Sequence, residues 1–160
     1  MSWLLVIATA IGGAALLWQL VLQRQQLKEQ QLIVAQQVRT ERRDVYARFI
    51  AAMREWDAER ASVINRRNRA EPGTNLDTTD LERKRSTAFE LLTQVQLTGS
   101  LAVADKAAEA VSVRDLFSQQ VLEAPRINPD LLDAGGRRVY ETAQALRDAM
   151  RADLSMDLAD

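Results

Sequence analysis

Apolar positions along the chain fall into two regimes. From Trp3 to Leu22 they are nearly continuous, WLLVIATAIGGAALLWQLVL, with no charged residue. Beyond Gln23 they thin out to the three- and four-residue steps that line one face of an α-helix. About 20 apolar residues rising ~1.5 Å each match a hydrocarbon core of roughly 30 Å, so the first regime predicts a transmembrane helix. Trp3 and Trp18 stand towards its two ends, where indole rings favour the headgroup region. A cleaved signal peptide would want basic residues ahead of a shorter apolar core. None precedes this run, which continues well past Ala8-Thr9-Ala10. Arg24 and Lys28 follow it closely, and the positive-inside rule then places the C-terminal body in the cytoplasm, with Met1 outside. Ala8 and Gly12, like Thr9 and Gly13, have the small-xxx-small spacing that lets two membrane helices approach closely.

Between Gln23 and Arg69 there is no Gly and no Pro, and good helix formers dominate. This predicts one helix continuing from the anchor as a rod of order 70 Å at 1.5 Å per residue. Its first part carries a sparse stripe through Leu27, Val34 and Val38, interrupted by Gln31 and Arg42. Such a stalk serves either as a spacer or as one strand of a homo-oligomeric coiled coil. Val45, Phe49, Ala52, Trp56 and Val63 then recur at steps of four, three, four and seven, an a/d seam that Tyr46, Ile50 and Met53 widen into a bundle-packing face. Asp44 with Arg48, and Asp57 with Arg60, are spaced to pair on the outer surface. Arg66, Arg67 and Arg69, followed by Pro72-Gly73, end the helix.

Three further helices follow. Asp80 is placed to cap one running from Leu81 towards Thr98, with Leu81, Ala88, Leu91, Leu92 and Val95 on one face. Gly99-Ser100 breaks it, and Ser100 caps a third helix over Leu101–Glu123 whose inward residues are Val103, Ala107, Ala110, Phe117 and Val121. Asn128 before Pro129 starts the last helix, towards Leu154, with a stripe of Val139, Ala143, Leu146 and Met150. Gly135-Gly136 is expected to weaken or interrupt its start. The fold class is therefore all-α: a transmembrane helix (1–23) continuing through a stalk (24–44) into an antiparallel helical bundle (45–160).

Charge and composition narrow the chemistry. Residues 24–69 hold eleven Lys or Arg against six Asp or Glu, and residues 70–160 hold ten against sixteen. The half next to the anchor is basic and the distal half acidic. With no Cys and no His, thiolate chemistry, disulfides, the usual zinc ligand and the usual general base are all missing. Glu55 with Glu59, and Asp105 with Glu109, share helix faces, but di-metal bundles add Glu-x-x-His motifs. No phosphate loop, dinucleotide-binding glycine pattern or nucleophile elbow occurs. The expectation is no catalytic residue, no cofactor and no metal. Two Arg clusters, one from Arg39 to Arg48 and one from Arg66 to Arg69, could engage phosphate, yet interspersed acids and the acidic distal half argue against a nucleic-acid face. Arg24 and Lys28 against lipid headgroups fit better.

RRDVYARFIAAMREWDAE (42–59), Leu97-Thr98-Gly99-Ser100 leading into an Ala-rich helix, and Ala149 to Leu154 with its Ala-x-Arg-x-Asp-Leu pattern are packing motifs spread over the body of the chain. They resemble small actinobacterial membrane-anchored helical proteins of unassigned function. The resemblance implies a membrane-tethered helical protein and assigns no site residue. Together these features point to a single-pass protein of the bacterial inner membrane, acting as a scaffold or adaptor on the bilayer. Its expected contacts are helix–helix packing at Ala8, Gly12, Val45, Phe49 and Trp56, self-association through the anchor and stalk, and a protein partner. The alternatives are an envelope-side coiled coil of the phage-lysis or envelope-spanning type, and a membrane-tethered nucleic-acid binder.

Overall fold

Four α-helices make up the regular structure of the computed structural model, which describes residues 2–71, 74–124 and 127–156; the side chains of residues 2–17, 20, 21 and 156 lie outside that description. They are α1 (Ser2–Arg69), α2 (Thr79–Thr98), α3 (Leu101–Glu123) and α4 (Pro129–Met156), with no strand among the described residues. The chain divides into two units, Met1–Thr40 and Glu41–Asp160. In the first, the described apolar side chains of α1 are solvent-facing, Leu27, Leu32, Ile33 and Val34 each more than half exposed. No helix among the described residues is long and apolar enough to cross a membrane. The expectations for Trp3, Ala8 and Gly12 lie outside the described side chains.

The second unit is a four-helix bundle whose directions can be read from its polar contacts. Arg48 meets Gln94 and Glu55 meets Lys84, so α2 runs against α1. Asp57 meets Arg114 and Arg67 meets the end of α3, so α3 runs with α1. Tyr46 meets Asp153 near the end of α4, and Gly135 near its start meets Phe117 towards the end of α3, so α4 runs against both α1 and α3. Short links between successive helices favour this up-and-down order. Its main core gathers Val45, Tyr46, Phe49, Met53, Trp56 and Val63 of α1 with Leu81, Ala88 and Val95 of α2 and Val103, Ala107, Ala110 and Val111 of α3; Leu146 and Met150 of α4 complete it. A smaller cluster forms where α3 meets α4, around Phe117, Val121 and Val139. Ala at 88, 107 and 110, each fully buried, lets the helices approach closely enough to enclose Trp56, which is 0% exposed.

The helix ends follow cap chemistry, with one correction. The Ser100 side chain accepts from the Val103 N–H, and Asn128 Oδ1 accepts from the Asp130 N–H just after Pro129. At α2 the helix begins at Thr79, earlier than the expected cap at Asp80. Asp77 Oδ1 takes the Thr79 N–H at 2.9 Å, and Asp80 sits in the first turn paired with Arg83. Asp77 stands two residues before Thr79, the spacing at which an Asp carboxylate takes a backbone N–H, whereas Asp80 already lies inside the helix. This bond holds the Asp77 carboxyl below the usual carboxylate range.

Gly135-Gly136 does not interrupt α4. Gly135 is there for proximity: a Cβ on it would lie 2.8 Å from Phe117 Cγ and closer still to two other ring carbons, whereas one on Gly136 would meet nothing within 4 Å. The absent side chain lets the Phe117 ring approach the helix closely, and the packing gained offsets the poor helix propensity.

Candidate functional site

Polar side chains inside the second unit converge on Asp57. The spacing of Asp57 and Arg60 had suggested an outer-surface pair, but the Arg60 side chain is only 6% exposed. Its Nη2 donates to Asp57 Oδ1 at 2.6 Å, and its guanidinium lies 4.7 Å from the Phe117 ring centroid, a cation–π contact. Arg114 of α3, with a side chain 4% exposed, approaches the same carboxylate from the other side. Its Nε and Nη2 donate to Asp57 at 3.1–3.2 Å, and its Nη1 donates to the Ala110 carbonyl. One carboxylate thus holds two buried guanidiniums. Burial, aided by the nearby Arg114 charge, pushes Arg60 below the usual guanidinium range, and Asp57 opposes that shift. Arg60 still carries its charge at neutral pH.

Next to this centre, α1, α3 and α4 leave a cleft of about 260 Å³. Arg54, Arg114, Arg147, Asp57 and Tyr140 give it polar edges, and Ile50, Met53, Val139, Ala143 and the bare Gly136 give it an apolar wall. Three Arg face one Asp, and that Asp is already shared with Arg60. Tyr140 is 66% exposed, so its ring stands at the mouth.

At the end where α1 enters this unit, the Tyr46 hydroxyl donates to Asp153 Oδ2 at 2.6 Å, and Arg42 Nη1 lies 3.8 Å from the same oxygen. At the opposite end, Arg67 donates to the carbonyls of Val121 and Leu122, closing the last turn of α3. Arg66 pairs with Glu59, and Arg48 reaches across to Gln94 instead of back to Asp44. Arg42, Arg48, Arg66 and Arg67 of the two basic clusters are thus engaged within the bundle.

Of the residues singled out by sequence, Val45, Phe49 and Trp56 come together in the core, each at most 4% exposed. Trp18, Arg24 and Lys28 belong to the first unit, where Trp18 is 69% exposed. Glu55 and Glu59 serve separate cations, Lys84 and Arg66. Among the described residues no group of three or more His, Cys, Asp or Glu could hold a metal ion. The Asp57 centre went unrecognised in the sequence, although a signal was present. The seven-residue step from Trp56 to Val63 skips Arg60, and the step from Ala110 to Phe117 skips Arg114, each an arginine at a seam position.

No family model, curated protein or solved structure matches this chain.

Proposed function

We propose that the chain is a single-pass scaffold or adaptor of the bacterial inner membrane, carrying a cytoplasmic helical bundle and performing no catalysis of its own. The observation that carries this reading is the 20-residue charge-free run Trp3–Leu22 followed at once by Arg24 and Lys28. Its length matches a bilayer core and its flanks favour one orientation. The bundle beyond Glu41 has its own core, suiting a body displayed from the bilayer. The solvent-facing Leu27, Val34 and Val38 of α1 support self-association along the stalk, because an exposed apolar stripe gains from a second strand.

Alkaline washing of membranes containing the untagged chain tests the anchor. Retention in the pellet is expected, and release into the supernatant overturns the reading. A reporter active only in the cytoplasm, fused after Asp160, tests orientation: activity supports the cytoplasmic body, and silence transfers the bundle to the envelope side.

A further inference from the structure

We infer that the cleft between α1, α3 and α4 is a binding site for a small organic oxyanion, a carboxylate or phosphate carried on one ring or a short alkyl body. Charge is the first ground. Arg54, Arg114 and Arg147 line the cleft with Asp57 as the only acid among its lining residues, and Asp57 already balances Arg114 and Arg60.

Unused donors are the second ground. Arg54 forms no hydrogen bond or ion pair with any described residue. Arg147 makes a single hydrogen bond, from Nη2 to Gln144 Oε1 at 2.8 Å. Arg114 is almost fully buried, and its bonds engage three of the five N–H groups of a guanidinium. Planar forks of this kind recognise carboxylate and phosphate oxygens, and a partly enclosed position strengthens each bond relative to open water.

Shape is the third ground. Ile50, Met53, Val139 and Ala143 give an apolar wall, Tyr140 offers a ring at the mouth, and Gly136 leaves open space where a side chain would project. The volume, about 260 Å³, lies just under the roughly 300–1,000 Å³ of drug-sized sites, which sets the ligand at one ring with its head group. The site lies wholly within the second unit and is independent of where the chain resides.

The test is methyl NMR on the full chain in lipid nanodiscs, following Ile50, Met53 and Val139. Phenyl phosphate and 3-phenylpropionate are expected to shift these methyls saturably, with dissociation constants on the order of 1 mM for ligands of this size. Whichever binds more tightly identifies the head group, and either order supports the site. Benzyl alcohol and inorganic phosphate, each lacking one half of the chemistry, are expected to bind at least tenfold more weakly. Arg54→Glu should weaken the anions about tenfold or more, with an unchanged melting temperature because Arg54 has no partner among the described residues to lose. Gly136→Leu should fill the cleft and abolish the shifts while the helix stays intact. Benzyl alcohol binding as well as the anions would overturn the proposal. So would undiminished shifts in both variants, or no saturation by either anion.

Discussion

The two adjacent glycines of α4 allow a packing contact to be measured without interference from helix propensity. Replacing Gly by Ala inside a helix stabilises it by about 1 kcal/mol. At Gly136 nothing opposes this, since the new methyl meets no atom within 4 Å. At Gly135 the same gain is met by a collision with the Phe117 ring, 2.8 Å at Cγ and closer at two neighbours. The ring cannot swing away freely. It is 6% exposed and carries the Arg60 guanidinium 4.7 Å above its centroid, and Arg60 is in turn bonded to Asp57. Overpacking of a filled core costs about 1–3 kcal/mol. The propensity gain is common to both substitutions, so Gly136→Ala should exceed Gly135→Ala in stability by about 1–3 kcal/mol, the packing term itself. Urea unfolding of the full chain, followed by far-ultraviolet circular dichroism, reads the difference as a displaced midpoint at constant slope. Adding Phe117→Leu to Gly135→Ala should recover part of the loss, because the shorter side chain vacates the space the methyl needs. Equal midpoints for the two alanine variants would refute the packing explanation of Gly135. A stabilised Gly135→Ala chain would refute it equally.

Asp57→Asn removes the charge shared by Arg60 and Arg114 and should destabilise the bundle by about 3 kcal/mol in urea unfolding, the low end for a buried pair because Asp57 keeps 29% exposure. Tyr46→Phe deletes the hydrogen bond to Asp153 across 107 residues of chain and should cost about 1–3 kcal/mol, with faster amide exchange at the C-terminal end of α4. Asp77 has a depressed folded-state pKa from the Thr79 N–H, so its stabilising contribution is complete above the unfolded carboxylate pKa near 4 and disappears as pH falls through the folded value. Asp77→Asn should therefore flatten the stability profile on the acid side of about pH 4, and an unchanged acid limb would show that the bond does not hold in solution.

Most of the bundle was legible because its signals are local. Gln23 to Arg69 lacks breakers, Ser100 and Asn128-Pro129 are strong starts, and the stripes from Val45 to Val63 and from Val139 to Met150 keep helical spacing. Each predicts burial from a residue's own neighbours, and those residues are buried except Ala143, which is half-buried at the cleft. What escaped was non-local. A Gly pair reads as a helix weakener until one knows that an aromatic ring arrives from α3 to lie on it. Arg60 looks like the partner of Asp57 at three residues' spacing until Arg114 appears 57 residues further on to share the carboxylate. Asp80 outranks Asp77 as a cap only while the start of α2 is unknown. In each case, sequence spacing fixed which groups could meet, and tertiary packing chose among them.

The same distinction changes how the basic half of the chain is understood. An excess of Arg over residues 24–69 suggests, as a tally, attraction to phosphate or lipid. Placed in the fold, Arg42 lies against Asp153, Arg48 against Gln94, Arg60 against Asp57, Arg66 against Glu59, and Arg67 closes α3. These contacts satisfy the bundle's own carboxylates, carbonyls and amides, so these five arginines are held within the bundle. Arg54 is different. It sits on the same helix, three residues before the shared aspartate, and no described residue answers it. An unanswered arginine on an open surface is simply hydrated and carries no message. Here it stands at the edge of a cleft whose floor is a second arginine held rigid by Asp57 and the Ala110 carbonyl, with a third on the facing helix. Rigidity matters because a preorganised guanidinium loses little freedom on binding an anion. The buried Asp57 centre therefore has a consequence beyond holding α1 to α3: it fixes the one arginine of the cleft that has no freedom to turn away.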